Sequence, residues 1–100
     1  MDELIPQDAL STQFGIIPAP RDLESRGDWE KFRAELKSRI EDLLENDFNR
    51  LQSILYVMDV DETKASAAFA TRDQQAVAAE LADLMIARHI ARMETRRTRG

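Results

Sequence analysis

The hydrophobic positions in the middle of the chain repeat with the period of an α-helix. From Trp29 to Met58 the apolar residues recur at steps of three and four, and at 100° per residue they fall within an arc of roughly 160°. Charges of opposite sign lie four residues apart on the other side, as on a solvated helix surface. The pattern predicts one uninterrupted helix over about 28–58, which would be about 45 Å long.

Two further helices are predicted after this stretch. The Asp-Val-Asp turn at 59–61 is typical of an N-terminal cap, because acidic side chains are favoured at the start of a helix. It would begin a short connecting helix over about 62–70, followed by a long helix over about 73–97. The predicted fold class is therefore all-α, a long helical hairpin with a short connecting helix.

The first 27 residues differ in composition from the rest of the chain. They hold all three prolines and two of the three glycines, and a proline pushes the residue before it towards an extended conformation. Their apolar side chains would be costly to leave in water, so part of the segment should lie along the helical surface. We predict an extended or partly ordered N-terminal arm, 1–27, and a single helical domain, 28–100.

The predicted third helix is apolar over more than half of its circumference. One stripe contains Val77, Leu81, Leu84 and Met85, and the other contains Ala82, Ile86, Ile90 and Met93. Because a lone hairpin covers one stripe, the arm, the short helix or a second copy of the chain must cover the other. A homodimer that completes a four-helix bundle is the economical arrangement. The expected interface residues are Tyr56, Ile86, His89, Ile90 and Met93.

Two charged residues fall within apolar stripes. Asp47 lies in the middle of the first stripe, and Arg88 lies on the third helix at a similar distance from the predicted turn. Since a buried charge needs a partner, we predict an Asp47–Arg88 pair, within or between subunits, that fixes the register of the helices. The alternative is a ligand pocket at the same level.

The charge is unevenly distributed along the chain. The net charge is −5, yet five of the 14 basic residues and one of the 19 acidic residues follow position 87. The basic tail consists of Arg92, Arg96, Arg97 and Arg99. Such a row could contact nucleic-acid phosphates, which gives an alternative function as a nucleic-acid-binding accessory protein. However, cations also suit a helix C-terminus and the acidic body repels phosphate, so nucleic acid is not the expected partner.

One motif suggests chemistry. Residues 59–63, Asp-Val-Asp-Glu-Thr, follow an apolar run and resemble the first motif of haloacid-dehalogenase-type phosphotransferases. That resemblance implies a metal-dependent phosphatase with Asp59 as nucleophile and Asp61 as general acid/base. In that family the motif follows a β-strand, whereas the residues before Asp59 here have a helical period. The capping interpretation is therefore preferred, and the phosphatase is a remote alternative.

The composition also bears on cofactors and on the compartment. The chain has no cysteine and a single histidine, His89, so one chain offers neither a thiolate site nor a histidine cluster. We expect no metal, no cofactor and no enzymatic activity. The absence of cysteine is typical of a reducing compartment, and no run has the length of a membrane span, so we expect a cytoplasmic protein without membrane contact.

Part of the chain resembles a family. Asp47-Phe48-Asn49-x-Leu51, Leu55-Tyr56, Asp59-Val60, Leu81 and Ile86 with Arg88-His89 look like a group of short bacterial proteins of unknown function. The resemblance implies an all-helical fold and brings no activity, ligand or catalytic residue with it. The predicted function is therefore a non-catalytic protein–protein interaction or regulatory module.

Overall fold

The computed structural model describes the backbone of residues 9–71 and 73–99, and the side chains of 10–71 and 73–94. Within these residues the chain forms five helices and no strand, so the predicted all-α class is confirmed. The helices are α1 (Ala9–Phe14), α2 (Arg26–Asn46), α3 (Phe48–Val57), α4 (Glu62–Phe69) and α5 (Gln74–Arg99).

The two long helices, α2 and α5, are antiparallel and carry most of the core. The Trp29 ring lies 6.3 Å from the His89 ring near the start of α2, and the Gln74 side chain donates to the Glu41 carbonyl near its end. Residues later in α2 therefore lie beside residues earlier in α5. The buried residues are spaced three and four apart, as the period predicts; they are Phe32, Leu36, Ile40 and Leu43 on α2 and Val77, Ala78, Leu81, Ala82 and Met85 on α5.

The predicted helix over 28–58 is wrong, because Asp47 divides it. The Asp47 backbone has φ −156° and ψ 69°, outside the helical range, and its amide donates to the Leu43 carbonyl at the end of α2. Its side chain accepts a hydrogen bond from the Arg50 amide at 3.2 Å, which caps the start of α3. An aspartate that bonds to nearby backbone amides competes with helix continuation, and here the cap wins.

The chain reverses direction at this break. Phe48, at the start of α3, contacts Phe69 at the end of α4, while Asp59, after the end of α3, reaches Arg88 on α5. From α2 onwards, four helices therefore alternate in direction within one chain. The greatest extent of the molecule is 42 Å, shorter than the predicted single rod. A single chain therefore contains four packed helices, whereas we expected two copies of the chain to provide them.

The turn after α3 has the hydrogen bonds of a Schellman motif. The Val60 amide donates to the Leu55 carbonyl at 3.2 Å, and the Asp59 amide donates to the Tyr56 carbonyl at 3.1 Å. Asp59 has φ +60°, in the left-handed region that glycine favours; Gly15 occupies the same region after α1. A residue with a Cβ in this region costs about 1 kcal/mol relative to glycine.

The caps and lengths of the last two helices agree with the sequence. Asp61 accepts hydrogen bonds from the amides of Thr63 and Lys64, at 2.8 and 3.2 Å, and so caps α4 as predicted. The predicted helices over 62–70 and 73–97 correspond to α4 and α5, within one or two residues at each end.

The described part of the predicted arm packs on the helices. Leu10 and Phe14 of α1 belong to the core, and Arg39 of α2 donates to the Phe14 carbonyl. The Trp29 indole donates to the Asp22 carbonyl at 3.0 Å, which holds the segment before α2 against its first turn. Residues 26 and 27, predicted to lie in the arm, belong to α2. None of the described helices has the length and apolar character needed to cross a membrane.

Candidate functional site

An apolar groove lies between the start of α2 and the middle of α5. We name it the α5 flank groove. It has a volume of about 330 Å³, and it is lined by Leu23, Arg26, Trp29, Glu30, Arg33, Asp83, Ile86 and Ile90. Its apolar side chains come from three parts of the chain, because the segment before α2 turns back along the helix and brings Leu23 beside Trp29.

An ion pair closes one edge of this groove. Arg33 on α2 donates from Nε to Asp83 Oδ1 at 2.7 Å and from Nη2 to Asp83 Oδ2 at 3.2 Å. The hydrogen bond to Asp83 and then its negative charge raise the pKa of Arg33 above its ordinary value, against a smaller effect of burial. Both side chains are well exposed, so the pair fixes geometry more than it adds stability.

The groove shows how far one chain covers the second apolar stripe of α5. Ala82 is fully buried, and His89, whose ring lies beside that of Trp29, is 4% exposed. The larger residues of the stripe, Ile86, Ile90 and Met93, remain half-buried. The described arm and α2 therefore cover part of this stripe and leave part of it to solvent.

Tyr56 does not lie with the other predicted interface residues. It projects from α3 and is 84% exposed. Two other large apolar side chains on the same helix are also exposed, Phe48 at 41% and Val57 at 54%. Exposed apolar surface is thus concentrated on α3.

A second, larger groove lies beside Tyr56, between α3 and α4. We name it the α3–α4 groove. It is open, with a volume of about 870 Å³, and it is lined by Gln52, Leu55, Tyr56, Asp59, Val60, Asp61, Glu62, Thr63, Ala65, Ser66 and Phe69. Its lining is mixed: the apolar residues at its floor are Leu55 and Ala65, which are buried, and Val60 and Phe69, which are half-buried, while polar side chains make up much of the rest. Its rim carries the three carboxylates of the turn and of the first residue of α4.

The predicted Asp47–Arg88 pair is not formed within the chain. Asp47 is exposed and caps α3, and the register that places Glu41 beside Gln74 carries Asp47 past the start of α5. Arg88 instead donates to Asp59 Oδ2 at 3.2 Å. The expectation of a buried Asp47 is wrong, and neither of the two grooves is lined by Asp47 or Arg88.

Arg88 has one feature that the ion pair does not explain. Its Nε atom is buried and has no hydrogen-bond partner, while its Nη2 reaches Asp59 at the end of the α3–α4 groove. The side chain thus extends from the core towards the groove, and one of the three rim carboxylates is paired with it.

The phosphatase alternative loses its structural context. The family it resembles has a β-strand before the first aspartate, and here that segment is α3. Asp59 bonds to Arg88 and Asp61 caps α4, so both carboxylates have structural partners. In the described part of the chain, no group of three or more His, Asp or Glu side chains has the arrangement to hold a metal ion.

Only part of the basic tail lies within the described residues. The Arg92 side chain is half-buried on α5. The side chains of Arg96, Arg97 and Arg99 lie outside the described residues, so the nucleic-acid alternative keeps its status as a prediction.

Sequence reasoning missed the α3–α4 groove as a site. The groove exists because the chain reverses at Asp47. The predicted straight helix over 28–58 would not place α3 beside α4. Two signals pointed towards it: Tyr56 lies off the main apolar stripe, and Asp59 follows the last turn where a glycine is usual.

Comparison with protein-family models, with curated proteins and with solved structures finds no match to this chain. The resemblance to short bacterial proteins therefore stays a prediction.

Proposed function

We propose that this chain is a non-catalytic protein–protein interaction or regulatory module of the cytoplasm that acts as a homodimer through the α5 flank groove. The observation that supports it most directly is the half-buried state of Ile86 and Ile90 beside Trp29. Since four helices already pack within one chain, the second copy would not complete the bundle; it would cover this remaining flank. The lack of cysteine supports a reducing compartment.

The spacing along α5 suits a second copy of the same helix. A two-fold interface requires that each residue meet its own symmetry mate or a complementary one. In an antiparallel pair of α5 helices centred on Ile86, Met93 lies seven residues after the centre and opposes Ala79, seven residues before it. Both are half-buried on one chain, so a large side chain meets a small one at each end.

The charge distribution favours the same orientation. The C-terminal part of α5 is rich in arginine, whereas its N-terminal half carries Glu80 and Asp83 and follows Asp73. In an antiparallel pair, the basic end of each helix lies beside the acidic half of the other. Such complementarity selects the orientation of an interface more than it adds affinity.

The test is the mass of the purified chain in solution. Light scattering should give twice the chain mass of 11.5 kDa for the unmodified protein. Ile90→Glu should give the monomer mass, because it places an unpaired charge in the interface. Ala67→Glu is the matched control: it adds the same charge on α4, at an exposed position that lines neither groove, and should remain dimeric.

Two results would contradict the proposal. A chain that stays monomeric up to about 1 mM would have no interface of useful affinity. Magnesium-dependent hydrolysis of p-nitrophenyl phosphate that is lost in Asp59→Asn would instead support the enzymatic alternative.

A further inference from the structure

We infer that the α3–α4 groove binds a basic amphipathic segment of a partner protein, one that presents aliphatic side chains on one face and Lys or Arg on the other. This site goes beyond the homodimer and uses a different surface. The apolar floor, the acidic rim and the exposed Tyr56 carry the inference.

The floor of the groove provides an apolar contact surface of its own. Leu55 and Val60 are brought together by the turn that ends α3, in which the Val60 amide bonds to the Leu55 carbonyl. Phe69 of α4 forms the far end and packs edge-on against Phe48, with ring centroids 5.4 Å apart. A concave apolar surface bordered by polar residues is the usual form of a groove that accepts an amphipathic helix.

The rim determines the charge of the partner. Asp59, Asp61 and Glu62 border the groove, and no basic residue occurs among the described residues that line it. Arg88 pairs with Asp59 from the α5 side, which leaves Asp61 and Glu62 as exposed carboxylates at the mouth. The excess of negative charge attracts Lys and Arg and repels nucleic acid and anionic membranes.

Tyr56 gives the groove a residue type that is enriched at binding hot spots. The residue is 84% exposed and lies at the edge of the groove, in the last turn of α3. There it can pack on an aliphatic side chain or lie against a cationic group of the partner. Val57, which follows Tyr56, and Phe48, at the start of α3, are also exposed apolar residues of this helix.

The two grooves lie on opposite sides of the buried face of α5. Arg88 borders the α3–α4 side and Ile90 lines the α5 flank groove. These residues are two positions apart, which places them about 160° apart around the helix axis. A partner in one groove therefore leaves the other open, and each site can be altered separately.

The experiment uses three labelled synthetic peptides of about 18 residues, long enough to form a helix. The first places Leu on one face and Lys on the other, the second replaces Lys by Glu, and the third replaces Leu by Ser. Binding to the full-length chain is measured by fluorescence anisotropy at low and at physiological salt. We expect the Leu/Lys peptide to bind and the other two to bind at least about tenfold more weakly.

Three variants locate the site. Tyr56→Ala and Glu62→Lys should each weaken binding of the Leu/Lys peptide by at least about tenfold. Glu35→Lys, which makes the same charge reversal at an exposed position on α2, should change it by less than about threefold, as a distant surface charge does. Circular dichroism melting of each variant separates a lost contact from a lost fold.

Specific outcomes overturn the inference. Equal binding of the Leu/Lys and Ser/Lys peptides would show attraction to an acidic surface without a groove. Absence of binding by all three peptides, or binding that is abolished by Ile90→Glu and unaffected by Tyr56→Ala, would also overturn it. The homodimer is judged separately, because Tyr56→Ala and Glu62→Lys should leave the mass in light scattering unchanged.

Discussion

The α2–α5 pair and the α3–α4 pair are held together in different ways. The two long helices bury large side chains at every turn of their contact. By contrast, α3 packs on α2 and buries Leu51, Ile54 and Leu55, and α4 packs on α5 with only the alanines Ala65 and Ala68 buried. Between α3 and α4 lies an open groove, and the turn that joins them has a left-handed aspartate. The α2–α5 contact is thus closely packed along its length, while the space between α3 and α4 stays open and is a candidate binding surface.

The largest expected effect is in the α2–α5 core. Leu36 is fully buried, so Leu36→Ala should lower the free energy of unfolding by about 2–5 kcal/mol through lost burial and the cavity left behind. Leu44→Ala, on the same helix at a half-buried position, should cost clearly less. Urea unfolding of both variants measures the difference. Equal losses would mean that the α2–α5 contact is not the main source of stability.

Hydrophobic period predicted the helices but not the break between α2 and α3. The apolar residues before and after Asp47 keep the same phase, since Leu43, Leu44, Phe48 and Leu51 continue the three- and four-residue steps. A pattern of burial therefore could not reveal the reversal. The signal was local: an Asn-Asp pair at 46–47, both poor helix formers that bond readily to nearby backbone.

Because the hydrophobic period does not show where the chain reverses, only part of the two sites could be predicted. Ile86, Ile90 and Met93 lie on one side of an unbroken helix, so their shared face followed from the period alone. The α3–α4 groove depends on where the chain turns back, and its residues are neighbours only after that reversal. The predicted partner of Arg88 failed for this reason: the straight helix placed Asp47 near it, and the reversal placed Asp59 there.

In the second pair, the cap of α4 should contribute more than any single buried side chain of that helix. Asp61 accepts two amide hydrogen bonds, so Asp61→Ala should cost about 1 kcal/mol, in the range of 0.5–2 kcal/mol found for such caps. Asp61→Asn keeps an acceptor oxygen and should stay within about 0.5 kcal/mol of the unmodified chain. Thermal unfolding compares the two. An alanine variant as stable as the asparagine variant would show that α4 is held by packing alone.

The left-handed backbone conformation of Asp59 should lower the stability of the turn between α3 and α4. Asp59 has φ +60°, so Asp59→Gly should be more stable than Asp59→Ala by about 1 kcal/mol, because both lose the contact with Arg88 and only glycine fits the left-handed region without cost. Chemical unfolding of both variants gives the difference. If alanine and glycine are equally stable, the left-handed turn imposes no cost at this position.

The smallest expected effect is the ion pair at the edge of the α5 flank groove. A double-mutant cycle with Arg33→Ala and Asp83→Ala should give a coupling of about 0.2–1 kcal/mol, because both side chains are exposed and solvent screens their attraction. The coupling should decrease in high salt. Pairing with Asp83 raises the pKa of Arg33. The contribution of Arg33 to stability is therefore complete below its unfolded-state pKa and is lost only as the pH rises through the higher folded-state pKa. The Arg33 charge does not titrate near neutral pH. A coupling well above 1 kcal/mol would blur the contrast between the two helix pairs, because α2 and α5 would then be joined by charge as well as by their buried side chains.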